Sequence, residues 1–250
     1  MAERYFFEVA YNGKNYHGWQ LQNNAVTVQG AIEDAFAKVL RSKTPITGSG
    51  RTDTGVHCEQ QFFHVDFDKP IDGAQLQYKL NSCLLQDISI LSVKPVELSA
   101  HARFDAISRS YQYRISRKKD PFYNELRYFF AKPLDLKTMN EAALLLVGEH
   151  DFECFSKVKT EVNNFFCTIE KAEWIEQGDL LTFYITANRF LRGMVRAIVG
   201  TLLSMGESKK TIDDLKGILA SKDRRAAGRA APAHGLFLTE VKYPDHIFLN

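Results

Sequence analysis

The stretch that decides the fold is Gly48-Ser49-Gly50-Arg51-Thr52-Asp53-Thr54-Gly55-Val56-His57, which combines three glycines with a cation and a carboxylate. Because glycine tolerates positive φ and lets another group approach the backbone, these glycines predict a sharp, open turn. The turn displays Arg51 and Asp53, and we interpret Asp53 as the centre of an active site. The alternative is a surface loop whose charges are simply solvated.

Known phosphate-binding loops match this stretch poorly. It has no Gly-Lys-Ser/Thr of a Walker loop, and Asp53 stands where a dinucleotide fingerprint needs its third glycine. Neither type of nucleotide site is therefore predicted.

The segments on either side of the stretch are typical of strands. Residues 46–50 lead into it, and residues 61–67 alternate, with phenylalanine and valine on one face and His64 and Asp66 on the other. Asp53 is therefore predicted on a loop between sheet strands, where a rigid scaffold fixes it.

Hydrophobic periodicity, turn residues and caps predict the remaining elements. Strands are expected at residues 5–11, 88–93, 110–116, 168–174, 180–187 and 236–243, and helices at 28–41, 73–85 and 136–147. Thr27 and Asp135 are the expected N-caps of the first and third of these helices. Strands and helices thus alternate in a similar order in both parts of the chain, which favours an α+β fold built by structural duplication.

A long helix is predicted to open at Asn188. Arg189, Arg192 and Arg196 would then recur on one flank at spacings of i, i+3 and i+7. Three aligned arginines suit phosphate contacts, or one of them suits pairing with a buried carboxylate. Solvated charges on a helix surface are the alternative.

The whole composition is that of a globular protein. The chain has 250 residues, of which 45% are hydrophobic, enough for one large domain or two small ones with a buried core. The start of the chain has no apolar leader, and no apolar run approaches 18 residues. We expect an unexported, cytoplasmic protein. Its four scattered cysteines are expected to be buried free thiols, not a zinc site or a disulfide framework.

Charge is distributed unevenly along the chain. The formal net charge is only +2, but residues 101–132 carry +5 and residues 189–229 carry +6. Such asymmetry is expected where one face is kept positive for a polyanion. Ordinary solvated surface charge explains the composition equally well.

Five segments, taken together, resemble the tRNA pseudouridine synthase A family. They are Tyr11-Asn12-Gly13-x-x-Tyr16-x-Gly18-Trp19-Gln20, Gly50-Arg51-Thr52-Asp53-x-Gly55-Val56-His57, Ser108-Arg109-Ser110-Tyr111-Gln112-Tyr113, Phe190-Leu191-x-x-Met194-Val195-Arg196, and Pro232-Ala233-x-Gly235-Leu236-x-Leu238 with Tyr243-Pro244. The resemblance spans the chain, and its second segment is the most specific. Small departures, such as Cys58 and Gln60 after the histidine, do not touch Asp53.

The resemblance implies isomerisation of uridine to pseudouridine at positions 38 to 40 of the tRNA anticodon stem-loop. It makes Asp53 the nucleophile, Arg196 its cationic partner, and Tyr111 the residue that stacks on the uracil and assists proton loss from C5. Attack of Asp53 at C1′, attack at C6 and a glycal route are all compatible with the sequence. Leu236 would pack on the other side of the base, a part that Leu238 is also placed to take. Arg51 would fill the helix vacated by the flipped base or hold its phosphate.

The resemblance also implies partners and architecture. Two α+β halves, residues 1–105 and 106–250, would join into one extended, largely antiparallel sheet with a central basic cleft. The boundary lies at the segment His101-Ala102-Arg103-Phe104-Asp105-Ala106, which resembles the family's link between halves. A homodimer acting on tRNA, with no metal and no cofactor, is expected.

Further residues are expected to contact RNA. Arg189, Arg192 and Lys222 are placed on phosphates. The aromatic side chains Tyr16, His17 and Trp19, in the opening segment, either stack on bases or pack in the core, and we prefer the core.

Two other classes of protein fit the residues. A non-catalytic RNA-binding module would use the same basic face and aromatic residues. A glycosidase would need a second carboxylate about 5–9.5 Å from Asp53, for which Glu59 is the nearest acidic residue in sequence.

Overall fold

A computed structural model of the chain describes residues 2–157 and 164–249. The chain forms two compact units. Unit 1 comprises Met1–Ser108 and Leu238–Asn250, and unit 2 comprises Arg109–Phe237. The expected halves end at residue 250, whereas in the structure the last segment belongs with unit 1. The reason is that the strand containing Leu238 lies next to a strand of unit 1 in the sheet order.

The elements of regular structure alternate between strands and helices in both units. In chain order they are β1 (Glu3–Tyr11), α1 (Val28–Leu40), β2 (Thr47–Gly48), β3 (His57–Phe67), α2 (Gly73–Cys83), β4 (Ile88–Val96), β5 (Ser108–Ser116), β6 (Tyr128–Phe129), α3 (Leu136–Leu144), β7 (Gly148–Asp151), β8 (Phe166–Gln177), β9 (Leu180–Ala187), α4 (Met194–Gly206), α5 (Ile212–Ser221) and β10 (Leu236–Lys242). Antiparallel pairing predominates, and β5–β6 is a parallel pair. The predicted α+β class with a large, mostly antiparallel sheet is confirmed.

In unit 1 the strands are ordered β4-β1-β3-β10, and β2 pairs with β3. Phe7 of β1 lies opposite Phe63 of β3, and their rings stack at 4.9 Å. The ring of Phe36 from α1 meets Phe7 edge-on at 5.4 Å. This aromatic cluster anchors α1 against the strands that flank the Asp53 loop.

Strand β3 differs from the expected alternation of buried and exposed residues. All of residues 61–65 are buried, including His64. The reason is that the second face of the strand is also covered: Tyr243 packs edge-on against Phe62 at 5.2 Å. The backbone N–H of Ala102 donates to His64 Nδ1 at 3.1 Å on that face.

The three predicted helices of the sequence are present, and their caps explain where they start. Thr27 accepts a hydrogen bond from the Gly30 backbone N–H, and Asp135 accepts one from Thr138. Asp72 caps α2 in the same way. The helices end at Leu40, Cys83 and Leu144, which is one to three residues before the predicted ends at 41, 85 and 147.

In unit 2 the strands are ordered β5-β9-β8-β7. Trp174 of β8 and Phe183 of β9 pack with ring centroids 4.9 Å apart. Helix α5, which periodicity alone did not predict, starts at a capping box between Thr211 and Asp214.

The prediction of a helix opening at Asn188 is wrong, since α4 begins at Met194. Gly193 precedes the helix with φ 72°, a left-handed conformation that separates it from the residues before it. Arg189 and Arg192 therefore lie in the connection from β9, and only Arg196 is on the helix.

Candidate active site

Asp53 lies on the loop between β2 and β3. Its side chain is half-buried, whereas Arg51 is exposed and Thr52 is buried. The backbone N–H of Val56 donates to the Asp53 carbonyl at 3.2 Å and closes the turn. The exposed Arg51 and the half-buried Asp53 thus lie on either side of a buried threonine that the sequence analysis did not single out.

A buried hydrogen-bond network from strands β1 and β3 holds the loop in place. Gln61 Nε2 donates to the Gly50 carbonyl at 3.2 Å, and the Tyr11 hydroxyl donates to Gln61 Oε1 at 3.1 Å. The Tyr11 hydroxyl has only one proton, so the Thr52 hydroxyl, 2.9 Å away, donates to it. Strands β1 and β3 therefore fix the residues on both sides of Arg51.

A second segment, residues 16–19, packs on the other side of the loop. The backbone N–H of Trp19 donates to the Thr52 carbonyl at 3.2 Å, and the backbone N–H of Gly55 donates to the Tyr16 carbonyl at 3.2 Å. Gly18 has φ 89°, and a Cβ on it would lie 2.4 Å from the Thr52 carbonyl oxygen. Tyr16 and Trp19 are buried, which confirms the preferred interpretation that they are core residues. For His17 that interpretation is wrong, since its side chain is exposed.

The glycines of the loop act in different ways. Gly55 has φ 74°, as the predicted turn requires. Gly48 has no positive φ, but a Cβ there would lie 2.5 Å from the Trp19 indole nitrogen. Gly50 meets neither condition, since nothing lies within 4 Å of its Cβ position. The close approach of the indole, not only backbone conformation, explains the glycine content.

In unit 2, Tyr111 lies on β5 opposite Ile185 of β9. Its ring is half-buried and meets the Phe190 ring edge-on, with centroids 5.1 Å apart and planes at 89°. Phe190 was not singled out from the sequence as a site residue. Its signal there is its place at the start of the fourth segment that resembles the family, Phe190-Leu191-x-x-Met194-Val195-Arg196.

Arg196 is held by the chain segment that follows α5. Its Nε donates to the Ala231 carbonyl at 2.7 Å, and the Ala231 N–H donates to the Arg196 carbonyl at 2.9 Å. Gly200, one turn further along α4, admits this segment, because a Cβ there would lie 1.7 Å from the Arg229 carbonyl oxygen. The orientation of the Arg196 side chain is therefore set within unit 2.

The neighbouring Tyr113 has a structural role. Its hydroxyl donates to the Pro232 carbonyl at 2.9 Å, and burial raises the pKa of the phenol. It supports the turn that leads to Leu236, and both Leu236 and Leu238 are buried. That Leu236, or alternatively Leu238, packs on the flipped base stays a prediction.

The cations expected on phosphates differ in their surroundings. Arg192 is exposed, and Arg189 is half-buried with a long contact of 3.4 Å from Nη1 to Asn164 Oδ1. Lys222 forms an ion pair with Asp151 at 2.7 Å, which raises the pKa of the ammonium group. That carboxylate competes with the predicted phosphate contact of Lys222.

The predicted site residues thus fall into two sets. Unit 1 carries Arg51 and Asp53, and unit 2 carries Tyr111, Arg196 and Leu236. Pairing of Asp53 with Arg196 stays a prediction.

Metal-binding groups, membrane-spanning helices and cysteines bear on other kinds of function. Within residues 2–157 and 164–249, no three His, Cys, Asp or Glu side chains are grouped so as to hold a metal ion. In those same ranges, no helix has the length and apolar character needed to cross a membrane. The four cysteines are free thiols, and Cys83 is exposed, contrary to the expectation that all are buried.

Comparison with known proteins defines the class of protein to which the chain belongs. The model of a family described as tRNA pseudouridine synthase matches residues 8–105 and 142–244. Relatives named tRNA pseudouridine synthase A include that of Parabacteroides distasonis, 48% identical over 98% of each chain. That of Bacteroides fragilis is 46% identical over 99% of each chain. That of Bacillus subtilis is 41% identical over 95% of this chain and 98% of its own. The chain therefore belongs to the tRNA pseudouridine synthase A family and is an isomerase.

Likeness among solved structures is weaker. A crystal structure of a Cbf5-Nop10-Gar1 complex aligns with 93% of this chain and 57% of its own, at 10% identity and a TM-score of 0.38. No inference is based on it.

Proposed function

We propose that this enzyme converts uridine to pseudouridine at positions 38 to 40 of the tRNA anticodon stem-loop, with Asp53 as the nucleophile. Family membership supports the reaction class. The observation that carries the role of Asp53 is its loop, which is held by Gln61 and Tyr11 on one side and by residues 16–19 on the other. A half-buried carboxylate on so rigid a loop is suited to attack at a fixed point.

The proposed reaction is an isomerisation without redox change. The C1′–N1 bond of the uridine breaks, the uracil turns, and a C1′–C5 bond forms. The proton on C5 leaves and N1 gains one, so the atoms balance. An Asp53 oxygen forms a bond either to C1′, where it displaces N1 and is then displaced by C5, or to C6, where it adds to the C5–C6 double bond and is eliminated once the uracil is rejoined.

An aspartate suits this role because a carboxyl with a reference pKa of about 3.9 is already ionised at neutral pH. A pocket that receives a base holds little water, and desolvation disfavours the charged form of a carboxyl. In the proposal, the Arg196 guanidinium supplies the cation that keeps Asp53 ionised. The anchoring of Arg196 Nε by Ala231 supports a fixed guanidinium.

The remaining residues act on the flipped base. A uridine stacked in a stem must leave the helix at a cost of a few kcal/mol. Tyr111 stacks on the uracil, and its edge-to-face contact with Phe190 fixes the orientation of its ring. Leu236 packs on the other face, and Arg51 occupies the space that the base leaves or holds its phosphate. Arg189 and Arg192 bind phosphates, and the enzyme works as a homodimer.

The target position is tested by tritium release from tRNA transcripts labelled at uracil C5. Transcripts keep a uridine at position 38, 39 or 40, with cytidine at the other two. Release from these, and none from a transcript with cytidine at all three, is the expected result. Equal release from the transcript without them would refute the proposed position.

The pairing of Arg196 with Asp53 is tested by substitution. Arg196→Met is expected to lower kcat by about a hundredfold or more, and Arg196→Lys to restore part of the loss. Urea unfolding measures the coupling: in the Asp53→Asn background, Arg196→Met should cost less unfolding free energy than in wild type, because the charge it balances is gone. Arg192→Met is the matched control and should change binding but not kcat. Additive losses would contradict the pairing.

A further inference from the structure

The segment between β1 and α1 stands out by its charge. No Asp or Glu occurs between Glu8 and Glu33, although the chain has 30 of them in 250 residues. Lys14 is the only Lys or Arg in the interval, which contains seven Asn and Gln residues. Such a surface does not repel phosphate, and its amides are able to donate to phosphates and base edges.

The centre of this segment is a two-residue hairpin. Gln22 and Ala25 form an antiparallel bridge, and Asn23 and Asn24 make the turn between them. We call residues 21–26 the amide hairpin. Gln22, Asn23 and Asn24 are exposed, and the flanking Val26 is 63% exposed.

The amide hairpin is rigidly attached at its base. Gln29 of α1 is buried, and its Oε1 accepts from Gln20 Nε2 at 2.9 Å and from the Leu21 N–H at 3.1 Å. The His17 N–H donates to the Val26 carbonyl at 2.8 Å, and Gln22 Nε2 donates to the His17 carbonyl at 3.1 Å. The exposed amides are thus presented on a fixed frame.

That frame is continuous with the Asp53 loop. His17 is followed by Gly18, whose Cβ position is 3.2 Å from the Asp53 carbonyl carbon. Tyr16 and Trp19 are buried, so His17 is the ring of this segment that faces solvent. Within unit 1, the exposed His17 thus lies in a segment whose backbone packs against that of Asp53, and the backbone of His17 is hydrogen-bonded to the amide hairpin.

We propose that His17 and the amide hairpin bind the RNA strand next to the target uridine. His17 stacks on an unpaired base, and Asn23 and Asn24 donate to the phosphates of the neighbouring nucleotides. This inference rests on the proposed function, because it assumes that the uridine at Asp53 belongs to an RNA chain.

The test changes charge at the tip of the hairpin. Asn23→Asp with Asn24→Asp is expected to weaken tRNA binding about tenfold at about 0.1 M salt, because two carboxylates face phosphates. Asn23→Lys with Asn24→Lys should tighten binding and steepen the dependence of log K on log salt by about one unit per phosphate reached.

The matched control places the same charges on an exposed helix of the same unit. Ala74 and Gln75 of α2 are exposed. The acidic control is Ala74→Asp with Gln75→Glu, and the basic control is Ala74→Lys with Gln75→Lys. Equal shifts in affinity for the hairpin and α2 pairs would overturn the proposal, since they would show only the effect of net charge.

His17 gives an independent readout. His17→Ala should weaken binding several-fold at both low and high salt, and His17→Phe should retain it, because stacking is not screened by ions. No loss in His17→Ala would remove the residue from the RNA surface. Binding is measured apart from turnover, so an enzyme that binds tRNA but forms no pseudouridine would refute the proposed function while the hairpin comparison still gives its answer.

Discussion

Gly18 shows how closely the Asp53 loop depends on single residues. Its φ of 89° is unfavourable for any residue with a Cβ, and that Cβ would meet the Thr52 carbonyl oxygen at 2.4 Å. The contact is with backbone, which has no other rotamer to adopt. The loop is therefore shaped by a residue more than thirty positions before it in the chain.

Gly18→Ala is expected to cost about 2–4 kcal/mol of unfolding free energy and to lower kcat, because it strains the backbone and moves Thr52. Gly50→Ala is the matched control. With nothing within 4 Å of its Cβ position and no left-handed φ, it should change stability by less than about 0.5 kcal/mol. Urea unfolding and steady-state kinetics check both, and similar losses in the two variants would contradict the role of Gly18.

His64 makes stability depend on pH. Burial, with the nearby positive charge of Arg4 and with His101, lowers the pKa of His64 from 6.5 to about 4, and Asp66 opposes this only slightly. The Ala102 N–H already occupies Nδ1. Between pH 6.5 and 4 the unfolded chain binds a proton that the folded His64 does not, so this residue lowers stability as pH falls through that window.

His64→Asn should reduce this loss, because the Asn amide oxygen is able to accept from Ala102 but does not titrate. Urea unfolding at several pH values between 7 and 4 measures the difference between the two proteins. A variant that loses as much stability as wild type over this range would show that His64 does not cause the effect.

At the scale of elements, β1 and β3 position the loop through Tyr11. Its hydroxyl joins Thr52 to Gln61, and Gln61 in turn holds the Gly50 carbonyl. Tyr5, on the same strand, has an equally buried ring and donates to Glu3 Oε2 at 2.6 Å, away from the loop. The two tyrosines are a natural matched pair.

Tyr11→Phe should cost about 1–2 kcal/mol of stability and Tyr5→Phe about 1 kcal/mol, since both remove a hydroxyl with partners but only that of Tyr11 is buried. Only Tyr11→Phe should also lower kcat, about tenfold, while KM for tRNA stays within a factor of about two. Kinetics on both variants below their unfolding range make the comparison. Equal kcat values for the two would show that the network serves stability alone.

Elements were predictable from the sequence where a local signal fixes them. Helices α1 and α3 start as predicted because Thr27 and Asp135 cap them through their own side chains. The start of α4 was not predictable, because the apolar pattern continues through the break, which depends on one left-handed glycine, Gly193. The burial of His64 has a tertiary cause, the covering by distant segments, that alternation within β3 does not reveal.

The same distinction applies to the site. The position of Asp53 on a loop between two strands was predictable, because glycines, cation and carboxylate are contiguous. The support from Tyr11 and Gln61 was not, since it depends on the register of β1 with β3. Phe190 and the frame of the amide hairpin likewise require the folded chain.

At the scale of the whole molecule, the small net charge of +2 conceals two basic windows. Arg192→Ala is expected to flatten the salt dependence of tRNA binding by about one unit, because we propose that its guanidinium, which is exposed, binds a phosphate. Lys222→Ala should flatten it less, because Asp151 already neutralises the ammonium. Filter binding over a range of salt concentrations measures both slopes. A larger change for Lys222 would mean that RNA displaces Asp151.

The most direct measurement is tritium release from C5-labelled tRNA by wild type and Asp53→Asn, with tRNA affinity measured on the same preparations. Asparagine keeps the size of the side chain but has no anionic oxygen to form the covalent bond. Release should fall to background while the dissociation constant for tRNA stays within a factor of about three. Release from Asp53→Asn at the wild-type rate would contradict the assignment of Asp53 as the nucleophile.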